Sequence, residues 1–573
     1  MRSVLLSATA TLFLAACGID ESGVWRLGLT PAAAAAPGGG DETAAGSYLV
    51  GRFALESGDL HRAAQSLERA LLADPDNVEL RRQVFALLVV DGQFERAVTV
   101  GRELTALDKG AQDAMLFLAL DDVRRGDYAG ATRRLEAVGG GLAGTVQPIL
   151  LAWARFGAGQ RDQALVALSA GGPHGGLDRL RIYHRAMMLG LSGKPREGLA
   201  ALREAFPELA TAPVRLVRAA ARLAQAADGR DAALQLIAQA RAAEPDDPQL
   251  AWLEQAIRSG RPDVAAIQGP PSGMSDALSG IAEALAEQEG HTQALLFARL
   301  ATFLTPDDGE GWLLIANTAL QQDNAAEALR ALDHIRADGP LGWQAGLTRA
   351  RALQSLDRGE EAIRLLQTMA DEAPERSDSL IALGDYLRSK ERFAEAADAY
   401  TRAIQRIGKP EKRHWRLFYA RGICFERTKR WPEAEADLLE ALELEPDQPF
   451  VLNYLGYSWV DQGTNLDRAK EMLHKAVDLR PEDGYIVDSL GWAYYRLGEY
   501  DKAVTYLERA VELEPGDAVI NDHLGDAYWR VGRTREARFQ WERAVTFKPE
   551  PDVLAQIQEK LQKGLPDAAA KRG

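Results

Sequence analysis

Between Gly456 and Pro549 apolar, small and polar positions return three times in the same order, in the phrases LNYLGYSWVDQG, VDSLGWAYYRLG and NDHLGDAYWRVG. Gly491 and Gly525 lie 34 residues apart, as do Ala503 and Ala537, Ala510 and Ala544, and Pro515 and Pro549. Gly456, Ala469, Ala476 and Pro481 carry the series upstream, with one extra residue in the QGTN turn. The pattern predicts two antiparallel helices per period. Gly491 and Ala503 leave room where the helices approach, and Leu490, Tyr494 and Leu507 fill the space between them. Pro515 has no amide hydrogen and clashes with a preceding helical turn, so it ends one period and opens the next.

The register extends backwards through Ala434, Ala441 and Pro446, then Gly384, Ala396 and Ala403, then Ala350, Ala362 and Pro374, with Ala328 weaker and Ala294, Ala301 and Pro306 beyond it. About eight repeats are expected over residues 275–551. Residues 258–274, rich in Pro and Gly, read as a hinge or linker. Residues 46–257 hold less regular repeats: Gly51, Ala63, Ala70 and Pro75 mark a clean one, and Ala97, Ala131, Ala164 and Ala233 follow short turns in others. Residues 552–573 read as a polar capping helix and a frayed tail, as the open end of such an array requires.

A 34-residue period with Leu-Gly, an aromatic, two alanines and a closing proline resembles the tetratricopeptide repeat (TPR). The resemblance implies an all-α solenoid, a right-handed superhelix of helix pairs, here in two segments. It also implies that the chain binds other molecules along a groove and does not catalyse. In that family residues 2, 5, 9, 12 and 13 of each first helix line the concave face. Carried onto this chain, those positions supply Tyr419, Asn453 and Tyr457, then Asp488, Trp492, Tyr495 and Arg496, then Asp522, Asp526, Trp529 and Arg530. Aromatic rings and arginines dominate interface energetics, and the Asp and Arg side chains suit the backbone or charged ends of an extended peptide. Packing of Trp492 and Trp529 between repeats is the competing reading. The Lys and Asn set of carboxylate-clamping repeats is absent from this groove.

The chain begins MRSVLLSATATLFLAACG: Arg2 supplies a positive start, and Val4–Ala16 is too short to span a bilayer. Residues 1–16 therefore read as a signal peptide. Leu14-Ala15-Ala16-Cys17 resembles a bacterial lipobox, which implies cleavage before Cys17 and lipidation of its side chain. Residues 17–45, with PAAAAAPGGGDET, then read as a flexible tether. Gly18 is not the aspartate that retains lipoproteins at the inner membrane of enteric bacteria, so the resemblance implies the outer membrane, facing the periplasm.

Charge and chemistry narrow the picture further. A formal net charge of −16 argues against a nucleic-acid platform, which needs clustered Lys and Arg. Cys424, the one cysteine besides Cys17, reads as a small buried hydrophobe. The eight histidines show no metal-ligand spacing, no P-loop is present, and no cofactor or metal is expected. Asp488, Ser489 and His523 suggest a triad only because the repeat sets them on neighbouring helices.

The lipidated start, tether and aromatic repeats, best over Phe450–Val545, resemble outer-membrane TPR lipoproteins that bring cell-wall hydrolases to carboxyl-terminal processing proteases. TPR lipoproteins of exopolysaccharide export are the second resemblance. A soluble adaptor is the reading if the start codon is misplaced. The sequence sets no oligomeric state.

Overall fold

The computed structural model describes residues 43–139, 141–169, 175–261, 267–288, 290–307 and 309–566. The expected signal peptide, Cys17, nearly all of the expected tether and the tail beyond Pro566 lie outside the described residues. Among those described, the regular elements are helices, arranged as successive antiparallel pairs. No helix among them is long and apolar enough to cross a membrane. The chain divides into two compact units, residues 1–365 and 366–573.

Within each pair the predicted small residues meet their counterparts. A Cβ built on Gly491 would lie 2.7 Å from Leu507, one on Gly525 2.5 Å from the Trp541 indole, and one on Gly51 2.6 Å from Leu67. The same glycine therefore admits the same neighbour in distant repeats, and Ala503, Ala510, Ala537 and Ala544 are fully buried. Cys424 is a free thiol buried in the first helix Trp415–Arg427, and burial pushes its pKa up to about 11.

The turns inside the pairs share one conformation. Gly58, Gly92 and Gly126 adopt φ between 77° and 80° there, and Gly498 and Gly532, near the C-terminus, adopt 81° and 84°. Asp323, Asp357, Glu391 and Lys429 hold the left-handed conformation without being glycine, with φ of 56–62°. Helix starts are fixed by side-chain caps: Asp59, Asn77, Asp483 and Asp517 each accept a backbone N–H from the first turn.

The first unit contains six pairs from Ala44 to Ala243, a lone helix Pro248–Ser259, and then two pairs and most of a third between Pro270 and Leu365. The expected boundary at 258–274 does not coincide with the division between the units. The expected linker is also too long at its C-terminal end. Pro270 and Pro271 occupy the first turn of the helix Pro270–Glu287, where a missing N–H costs nothing, and Gly273 and Met274 are buried inside it. This helix packs against Gly141–Gly157, and its partner His291–Leu304 packs against Val78–Val90 and Gln112–Arg124.

The second unit is five complete pairs, from Asp378 to Thr546, followed by a single helix, Pro551–Lys563. Its core runs through Leu455, Trp459, Leu490, Leu507, Trp541 and Ile557. Ile557 belongs to the last helix, so this helix closes the apolar end of the array as a cap must.

Candidate groove of the second unit

The first helices Trp415–Arg427, Pro449–Gln462, Gly484–Arg496 and Ala518–Arg530 carry the candidate residues. Trp492 is the centre of a ring stack. Tyr495, one turn further along the same helix, lies parallel to it at 4.6 Å, and His523 from the next repeat lies parallel at 3.9 Å. Arg530 donates to the Tyr495 hydroxyl at 3.3 Å. His523 Nδ1 sits 3.0 Å from a carboxylate oxygen of Asp488. Burial would lower the His523 pKa, but Asp488, with Asp522 and Asp526 behind it, outweighs burial and raises it above the ordinary value of 6.5.

Asp488, Trp492, Tyr495, His523 and Arg530 therefore form one network across two repeats. Tyr457 and Arg496 stand beside it. Arg496 is held by the Asp461 carboxylate at 2.6 Å, and burial, then Asp461 and Asp488, raise the Tyr457 hydroxyl. Asn453 is half-buried, and among the described residues its Oδ1 accepts no hydrogen bond. Tyr419 is separate: it meets Tyr454 edge-on at 5.9 Å and Trp415 at 6.2 Å.

The last repeat is covered by the chain itself. Lys560, on the final helix, donates to Asp522 at 2.7 Å and to Asp526 at 2.9 Å. Burial and the neighbouring Asp522 push Asp526 upward, while the two carboxylates overcome burial and raise Lys560. Trp529 packs on Trp541 at 5.4 Å and lies under Gly564, where a Cβ would come within 2.1 Å of the indole. Arg530 also donates to the Pro566 carbonyl. Trp529 thus packs within its own repeat and under the C-terminal segment, whereas the Trp492–His523 stack joins two repeats, as the competing reading describes.

Sequence reasoning passes over three groups. From the sequence His523 reads only as part of a triad, and Lys560 only as part of a polar cap. The third is Phe450, Tyr485 and Val519, the second residue of three successive first helices, which are 42%, 57% and 43% exposed. Their shared position was the available signal. Ser489 does not complete the Asp488–His523 pair as a nucleophile, because its hydroxyl donates to the Tyr485 carbonyl of its own helix. The arrangement presents rings, an arginine and an apolar row, which is the chemistry of binding.

Family models of the tetratricopeptide repeat match residues 45–77, 347–411, 381–449 and 487–517. These matches fall in both units. It is 32% identical over 181 residues to the TPR repeat-containing protein PA4667 of Pseudomonas aeruginosa, covering 31% of this chain and 30% of that protein. It is 30% identical over 145 residues to the BBSome complex member BBS4 of Bos taurus, covering 25% of this chain and 27% of that protein. The matches thus span less than a third of these curated relatives. Among solved structures, the APC/C hetero-tetramer Cut9-Hcn1 shares 15% identity with a TM-score of 0.37, over 92% of this chain and 97% of that one. Yeast Tom70 shares 12% with a TM-score of 0.31, over 91% and 95%.

Proposed function

We propose that this chain is a non-catalytic adaptor, anchored to the bacterial envelope by a lipid on Cys17, that binds partner proteins or peptides in the groove of its second unit. The observation that carries the binding half is the Tyr495–Trp492–His523 stack on the same run of first helices that carries the exposed row of Phe450, Tyr485 and Val519. Aromatic and Arg side chains at the wet edge of an array are the residue types on which interface affinity concentrates. The anchoring half rests on the Leu14-Ala15-Ala16-Cys17 motif and the Ala/Gly/Pro segment after it. Several acyl chains on one cysteine hold a protein to a membrane stably, whereas one chain binds marginally. In this reading the adaptor stands at the outer membrane, facing the periplasm, and delivers substrates such as cell-wall hydrolases to a processing protease.

The test is co-purification of the full-length chain from its native membrane after mild crosslinking, in parallel with Cys17→Ala and Trp492→Ala. A periplasmic protease with cell-wall hydrolases should be recovered, released from the membrane fraction by Cys17→Ala and depleted by Trp492→Ala. Recovery of polymer synthases or secretion subunits would replace protease delivery with an export scaffold. Unchanged membrane association of Cys17→Ala would remove the anchor.

A further inference from the structure

The helix hairpin of residues 270–304, in the first unit, is buried in a way that an ordinary repeat is not. The regular second helix Tyr500–Leu513 buries a single stripe: Ala503, Val504, Leu507, Ala510 and Val511. In His291–Leu304, by contrast, every residue from Ala294 to Leu304 is buried, and in Pro270–Glu287 every residue from Gly273 to Ser279. A helix covered on all sides has neighbours on all sides.

The additional neighbours come from earlier repeats and are mostly first helices, those that line a repeat array's inner face; Phe94, at the start of a second helix, adds a ring 4.9 Å from Phe303. Gly273 sits against the Trp153 indole so closely that a Cβ would come within 2.2 Å. Tyr183 donates to Asp276 at 3.3 Å. Phe303 stacks on Phe117 at 4.8 Å, with the Arg124 guanidinium 4.5 Å from its ring centre. The Arg299 Nε donates to the carbonyl of Val90, 209 residues away and the last residue of its helix.

We infer that residues 270–304 are an internal ligand occupying the inner face of the N-terminal repeats, so that this face is closed to partners while the hairpin is seated. The surface recognises an apolar helix pair carrying an aromatic ring for the Phe117 site and a guanidinium for the Val90 helix end. The occupant is the chain's own hairpin. Groove binding by this protein then belongs to its second unit, and partners reach the first unit from outside.

The probe is a fluorescent peptide of residues 270–304, added to the full chain and to two full-length variants altered only in the hairpin, so that the receiving face stays native. Gly273→Leu drives a side chain into Trp153, and the milder Arg299→Ala removes the bond to Val90. Circular dichroism establishes that each variant is folded. The expected result is no saturable binding to the intact chain and binding at least tenfold tighter to the variants. Hydrogen exchange should quicken in Val78–Val90, Gln112–Arg124 and Gly141–Gly157 of the variants and slow again when the peptide is added. Equal binding to the intact chain and the variants would show an open face and overturn the inference. So would folded variants that bind no peptide and keep these three helices fully protected, because the hairpin would then be fixed core.

Discussion

Trp492 and Trp529 share a helix type and a candidate role, but their surroundings separate them. Trp492 is stacked between repeats at the groove, and Trp529 is packed against Trp541 beneath Gly564. Trp492→Ala should weaken partner binding by about 2 kcal/mol, roughly 30-fold, in a titration with the co-purified partner. Trp529→Ala should leave that affinity within about threefold and lower stability by about 2–3 kcal/mol in urea melts. His523 adds a pH dependence whose sign is fixed. Its folded pKa lies above 6.5, so its ion pair with Asp488 contributes fully below 6.5 and is lost as pH rises through the folded value. The stability difference between the wild type and His523→Gln should therefore be larger at pH 5.5 than at pH 8.5. Which candidate residues share a helix face was legible from the period, because a repeat assigns side chains to faces. Their pairing was not: whether Asp522 and Asp526 meet a partner or Lys560 depends on how the final helix docks, and that helix lies outside the period.

At the scale of elements, the turns and the end cap carry separable energies. Glu391 and Lys429 sit in the left-handed conformation that glycine fills in other repeats. Glu391→Gly and Lys429→Gly should each stabilise the second unit by about 0.5–1 kcal/mol, since relief of the Cβ clash exceeds the entropy glycine loses. The cap should respond in the opposite direction. Lys560→Met leaves the buried Asp522 and Asp526 carboxylates without their cation, and should cost about 2–4 kcal/mol. Hydrogen exchange should then quicken in Ala518–Arg530 ahead of the upstream repeats. The helix pairs were readable because each small residue answers to a neighbour about 16 positions away, as Gly491 does to Leu507. The stretch from Pro270 to Gly273 reads as a break yet is helical, for a physical reason. Pro and Gly signal a break in a helix interior, but at a first turn proline is tolerated, and a buried glycine against Trp153 marks close packing.

For the whole molecule, the period predicts contacts between neighbouring repeats, and nothing in it pairs Gly273 with Trp153 or Arg299 with Val90. Those contacts follow from the path of the chain after residue 266, which no local pattern encodes. The second unit keeps to nearest-neighbour packing, and such arrays unfold repeat by repeat. The first unit is tied across its length and should unfold as one cooperative block, which hydrogen exchange against urea concentration would resolve by helix.

The hydrogen bond from Arg299 to Val90 also sets a clock for biosynthesis. The two residues are 209 positions apart, which a ribosome covers in roughly 10–40 s. For about half of that interval, from residue 153 to residue 270, Phe117 and Trp153 have been translated but their covering hairpin has not. The nascent N-terminal repeats therefore pass through a long stage with an uncovered apolar interior, available to chaperones and to neighbouring chains, before the protein supplies its own lining.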